Sequence, residues 1–249
     1  MDNVIYHYTN INALINILSL EKISLWATNA SYLNDPNEIV EGTCIVNKIE
    51  NENIHPGAFR NYYISSFSKD KDSLVMWSQY AANGCGCALG LDMNIITPSY
   101  TFMVTCTYGE EETAKYFSDF SRLNKTGKQI ILGGPQLTKE QIERNKSINR
   151  ENLLIQTCLS AKNIAYKHEN EFRGVIYENN PQNIKFRQVR NYIAPYIVVD
   201  IPKNALKRII IGPNANEYII MKSIYHMIAL KQYNYKEIEV CNSRIPFRG

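Results

Sequence analysis

Residues 62–68, Tyr-Tyr-Ile-Ser-Ser-Phe-Ser, read as a β-strand that ends in hydroxyls: aromatic and β-branched residues lead, and small polar ones follow. Residues 73–81, Ser-Leu-Val-Met-Trp-Ser-Gln-Tyr-Ala, come five residues later with helical spacing, Leu74, Trp77 and Tyr80 or Ala81 falling on one face. Upstream, Val4–Tyr8 reads as a strand, and Thr9 or Asn10 caps a helix with Ile11, Leu14, Ile15 and Leu18 on one stripe. Lys22–Trp26 is a second strand, and Ile39–Ile49 is helical. Downstream, Gly84–Asp92, Phe102–Tyr108, Phe172–Tyr177, Tyr196–Val199, Arg208–Ile211 and Glu237–Val240 read as strands. A long helix runs from a Thr138–Gln141 capping box to about Ala165, and a last one covers Glu217–Leu230. So many unevenly spaced strands among few helices predict an α+β fold with two packed or split sheets.

The 249 residues, 45% of them hydrophobic, suffice for one large core. No linker and no repeat is visible, so the chain reads as a single domain, with residues 109–150 as a polar insertion or lid. With 27 basic and 24 acidic side chains, the charge sets up no broad field for nucleic acid or membrane. Lys185, Arg187, Arg190, Lys203, Lys207 and Arg208 gather late in the chain, as a solvated face or a phosphate-binding edge. No basic-then-apolar leader follows the initial Met, which points to the cytoplasm and reduced thiols. The apolar runs are too short to span a bilayer. Cys85-Gly86-Cys87 would turn two thiols to one strand face, but nothing nearby completes four ligands, so no metal is expected.

Four stretches carry chemistry. In Tyr6-His7-Tyr8-Thr9, alternation sets the His7 ring opposite the two tyrosines, as a core histidine or a ligand contact, and Thr9 adjoins a helix start with free N–H groups. In residues 33–38, LNDPNE, Asp35 and Glu38 can cap the helix that Pro36 favours, or Asn34 and Glu38 can hold a loop over a ligand. Ser66 presents a hydroxyl at a sheet edge, and Trp77 is either core or a stacking wall. In residues 166–173, YKHENEFR, Glu169 and Glu171 sit two apart at a strand start. That spacing puts both carboxylates on one face, where Arg173 continues the face and relieves their repulsion, or a water-facing sheet edge tolerates it.

Taken in order, YHYT, LNDPNE, SFS, MWSQYA, the Glu169-x-Glu171-x-Arg173 pattern and the closing IIIGPN resemble a bacterial family of unknown function, number 2971, over nearly the whole chain. The layout is also similar, more distantly, to the ADP-ribosyltransferase superfamily. That likeness implies a split β-sandwich holding NAD as substrate, with a toxin or phage-defence setting and an acceptor that is protein or nucleic acid. It implies that His7 holds the adenosine side, Ser66 supports the pocket and Glu171 bonds the nicotinamide ribose. Glu169 would act as base on the acceptor and Arg173 would orient Glu171 or meet a phosphate. Tyr8, Trp77 or Tyr80 would stack the nicotinamide. Two alternatives stand beside it: a non-catalytic module binding a nucleotide or partner, and a metal-dependent nuclease built on Glu38, Glu169 and Glu171.

Overall fold

The computed structural model describes residues 3–35, 37–124, 139–189, 191–234 and 236–246, with side chains left out at 122–124 and 139–149. In chain order the elements are β1 (Val4–Thr9), α1 (Ile11–Ile17), β2 (Ile23–Asn29), α2 (Glu38–Glu50), β3 (Tyr62–Ser68), α3 (Leu74–Tyr80), β4 (Cys87–Asp92), α4 (Met93–Ile96), β5 (Phe102–Thr105) and β6 (Thr107–Tyr108). They continue with α5 (Gly109–Asn124), α6 (Lys139–Ser160), β7 (Ala161–Lys162), β8 (Glu171–Tyr177), β9 (Lys185–Val189), β10 (Tyr192–Ile201), β11 (Leu206–Ile211), α7 (Glu217–Leu230) and β12 (Glu239–Asn242). The fold is mixed α/β around a largely antiparallel sheet. Among the described residues no helix is long and apolar enough to cross a membrane.

The chain forms two compact units. The first comprises residues 1–32, 61–105 and 168–249. It holds a ten-stranded sheet whose main path runs β12-β11-β4-β1-β3-β2-β10-β9. The sheet forks at β3. One edge of β3 pairs along its whole length with β8 (Tyr62↔Tyr177 to Ser68↔Glu171). The other edge is shared: β1 meets it at Ser68, and β2 meets it at Tyr63 and Ile64. Between those contacts β3 is left open at Ser65–Phe67.

Alternation divides the side chains between two cores. Ile5, Leu25, Leu89 and Val199 face α1, α4 and α7, which contribute Leu14, Ile96 and Ile224 to one buried cluster. Tyr6, Tyr8, Ala88 and Ile210 face the other way and pack on Met76 and Trp77 of α3. Met76, Trp77 and Ala81 form the buried side of that helix, while Leu74, expected inside, is half exposed. Asn10 caps α1, its side chain accepting from the Ala13 N–H at 2.7 Å.

The second unit comprises residues 33–60 and 106–167. Its helices α2, α5 and α6 pack with a two-stranded parallel sheet, β6 against β7. The stretch read as one strand, Phe102–Tyr108, divides at Cys106, with β5 pairing β8 and β6 pairing β7. The polar stretch from Gly109 supplies α5 and α6 to this unit. Pro36, Thr138 of the expected capping box, and Arg190 of the basic group lie outside the described residues.

Candidate functional site

The strands β1, β3 and β8 lie side by side and carry three of the four chemistry-bearing stretches. The register aligns Tyr6, Ser68 and Glu171 in one row across them, with Ser66 opposite Arg173 in the next. These side chains therefore share a face.

Glu171 and Arg173 form a buried ion pair on that face. Arg173 Nε donates to Glu171 Oε1 at 3.1 Å and Nη2 to Oε2 at 3.0 Å, with only 4% and 1% of the two residues exposed. Burial pulls the Arg173 pKa below the ordinary guanidinium value. The two-pronged carboxylate opposes that pull, since it favours the charged form.

Glu169 departs from the expected geometry. It closes a 3-10 turn over Ile164–Glu169 rather than opening the strand. Asn170 follows in the left-handed region at φ 44°, so the chain turns between the two glutamates and their shared strand face is lost. An Asn between the glutamates was the available signal, because its short amide tolerates that conformation. The turn is stitched to the end of β3. Ser68 Oγ donates to the Glu169 carbonyl at 2.7 Å, the Lys69 N–H donates to the Asn170 carbonyl at 3.0 Å, and Asn170 Nδ2 donates to Asp70 Oδ1 at 3.0 Å. Tyr80, from α3, donates its hydroxyl to Glu169 Oε1 at 2.6 Å. Sequence reasoning noted Ser68 only as one of the hydroxyls ending its strand and passed over Asp70, because their roles depend on the fold of a segment a hundred residues away.

His7 leaves β1 on the other face. Its neighbours Tyr6 and Tyr8 pack on Trp77, while the His7 ring meets Phe67 edge-on at 6.0 Å, beside Ile5 and Leu89. Its Nδ1 lies 3.1 Å from the Ser66 carbonyl oxygen, on the open edge of β3. A carbonyl only accepts, so Nδ1 carries the proton and Nε2 is an acceptor. Burial lowers the His7 pKa. The Ser66 carbonyl raises it, and the charge of Arg187 lowers it further. His7, Ser66 and Glu171 thus come from adjacent strands, but only Ser66 and Glu171 share a face. Ser66 itself is exposed.

Tyr8 and Trp77 are core residues, their rings 4.8 Å apart, with Trp77 Nε1 donating to Asp72 at 2.6 Å. Neither has a free face to stack on a ligand. Thr9 is buried at the end of β1, and Tyr80 remains half-buried. Asn34 and Glu38 belong to the second unit. Asn34 is exposed in a bend, and Asp35 Oδ1 accepts from the Asn37 N–H at 2.9 Å, the turn role expected of it. Glu38 is buried, 3.8 Å from the Lys162 ammonium, with which it forms an ion pair.

Cys85 is exposed and precedes β4, whereas Cys87 opens that strand and is buried. Their thiols therefore do not share a strand face, and burial pushes the Cys87 pKa up to about 12. Among the described residues no three or more His, Cys, Asp or Glu side chains are grouped to hold a metal.

Residues 76–174 match the family described as protein of unknown function (DUF2971). The matched segment runs from Met76 in α3 to Gly174 in β8 and includes Tyr80, Glu169, Glu171 and Arg173. Two stretches that carried the resemblance to this family, MWSQYA and the Glu169-x-Glu171-x-Arg173 pattern, fall wholly within it. Neither a curated protein nor a solved structure matches the chain.

Proposed function

We propose that this protein binds a nucleotide at the fork of its sheet and acts on NAD as an ADP-ribosyltransferase-like enzyme. One observation supports the reading most. The strands bearing His7, Ser66 and Glu171 are immediate neighbours, and the ladder opens along β3 at Ser65–Phe67. A split sheet of this kind is the scaffold the reading requires.

In this reading NAD lies along the fork. The Ser66 hydroxyl is exposed there, and His7 Nε2 stands ready to accept from a ribose hydroxyl. Cleaving the bond to nicotinamide develops positive charge on the ribose, which a fixed carboxylate stabilises. Glu171 supplies that anion, oriented by Arg173. Glu169, hydrogen-bonded to Tyr80, takes the proton of the acceptor.

A second reading, a nucleotide-binding module without turnover, is favoured by a specific observation. Both Glu171 oxygens are already held by Arg173, and His7 points to the opposite face.

The deciding experiment incubates purified protein with NAD. Released nicotinamide is followed by chromatography, and binding by the shift in melting temperature. Release that disappears in Ser66→Trp and falls in Glu169→Gln supports the transferase. Glu169→Gln keeps an acceptor for the Tyr80 hydroxyl, so the fold is retained. A melting shift without release selects the binding module. Neither signal at millimolar NAD overturns both readings.

A further inference from the structure

On the far side of the fork from β1, the sheet of the first unit carries aromatic rings on a solvent-facing surface. Along β2 the side chains of Ile23, Leu25 and Ala27 are buried, so Ser24, Trp26 and Thr28 point outward. Trp26 is 45% exposed, against complete burial of Trp77. Beside it stands Tyr196 of β10, itself buried, opposite Thr28 in the register, with ring centroids 4.5 Å apart and planes inclined by 34°. Arg187 reaches over from the edge strand β9. Its Cζ lies 5.4 Å from the Trp26 ring centre and 6.0 Å from that of Tyr196. One Nη2 donates to Thr28 Oγ1 at 2.7 Å.

Among the described residues this arginine lacks a counter-ion. No carboxylate among the described residues pairs with it, and its Nε is buried with no hydrogen-bond partner. A guanidinium centred 5.4 Å from an indole ring, with a donor left over, has the makings of a place for an anion beside a planar ring. Lys185 is exposed two residues earlier on the same strand face, aligned with Tyr196. The nearest acidic side chain on this face, Asp200, is occupied by Lys22 and Ser24. The surface is therefore cationic and aromatic at once. An open depression adjoins it at the β9–β10 hairpin, lined by Arg187 and Tyr192 from this face and by Phe186 and Ile193 from the opposite one.

We infer that this face binds single-stranded nucleic acid, with a base stacked on Trp26 and the Arg187 plane and the backbone phosphates on Arg187 and Lys185. Three features select that occupant. A flat ring calls for a stacking partner of any base identity. The unpaired cations call for phosphate. An open sheet face with outward aromatics suits an extended strand whose bases are splayed, and a duplex hides its bases from such a surface. The site borders the fork, since Thr28 pairs with Ile64 of β3 and the charge of Arg187 is felt at His7, but it uses none of the residues assigned to NAD.

The test uses fluorescein-labelled 12-nucleotide single strands, oligo-dA and oligo-U, at low salt and without NAD, so its outcome is independent of the transferase reading. Anisotropy should rise on binding, and Trp emission should be quenched, because Trp26 is the exposed indole of the two. Trp26→Ala should weaken binding about tenfold or more, as loss of one stacking position does. Arg187→Met should weaken binding and reduce the slope of log K against log salt by about 0.7, the share of one phosphate on a single strand. Arg187→Lys should keep that slope. Both positions are at the surface, and unchanged far-ultraviolet circular dichroism establishes that the variants fold. The inference is overturned if neither strand binds, if Trp26→Ala and Arg187→Met bind as the parent does, or if a duplex of equal length binds as tightly. It is also overturned if polyglutamate competes as well as the strands, since the face would then recognise acidic protein segments.

Discussion

At Glu171 and Arg173 two charges are held out of water within one strand. A buried pair of this kind is weak evidence of net stability, but removing one partner strands the other. Glu171→Gln and Arg173→Met should each cost about 3–5 kcal/mol in urea unfolding. The double replacement should cost clearly less than the sum, because no uncompensated charge remains. Additive losses would show that the pair is not coupled. For the same reason a loss of activity in Glu171→Gln has to be read against its stability.

His7 has the same sign of dependence as a carboxylate whose pKa is depressed on folding. Burial lowers its pKa in the folded protein, so the unfolded chain binds the proton more tightly. Its contribution is therefore present above the ordinary imidazole pKa of about 6.5 and is lost as pH falls through that value. Between pH 7.5 and 5.5 the urea midpoint of the parent should drop more than that of His7→Gln, whose amide can still donate to the Ser66 carbonyl. Equal drops would place the acid sensitivity elsewhere.

At the scale of elements, close approach explains what composition does not. Gly42 sits within α2, where a glycine costs up to about 1 kcal/mol against alanine. A Cβ there would lie 2.2 Å from the carbonyl oxygen of Cys158 in α6. Backbone cannot rotate away, so Gly42→Ala should lose about 1–3 kcal/mol by overpacking in place of the usual helical gain. Thermal unfolding reads the sign directly, and a raised melting temperature would mean that the helices part at no cost. Gly174 of β8 works in the same way, since a Cβ there would enter the Tyr100 ring at 2.5 Å.

The same scale shows which elements are legible in a single chain. The strand at Tyr62–Ser68 and the helix at Glu217–Leu230 occupy the expected bounds, because each is a dense local pattern with its own start and stop. The β9 segment, Lys-Phe-Arg-Gln-Val, escaped notice as a strand. It is an edge strand with mostly exposed side chains, so it lacks the alternation that burial writes into sequence. The helix α5 hid in a polar stretch for a similar reason: its first turn is Glu110-Glu111-Glu112, favourable at a helix start but uninformative about a core.

At the scale of the whole chain, the two units are interleaved in sequence, each assembled from separated segments. No linker composition marks such a division, because the chain passes between units without a stretch of unstructured polar residues. The sheet is equally non-local: Ser24 of β2 pairs with Asp200 of β10, and Ser68 with Glu171. Residue spacing speaks for neighbours along one strand, and it correctly set His7 opposite Tyr6 and Tyr8. Which strands adjoin, and hence which face of one continues that of the next, follows from pairing across more than a hundred residues. The sequence alone determined the local periods, the short helices and the kinds of side chain gathered into motifs, since those are written in contacts a few residues apart. Tertiary pairing decided that Glu171 spends both oxygens on Arg173, that His7 turns away from them and that Trp26 meets Arg187 at the surface, since long-range register, invisible to local spacing, sets each of those contacts.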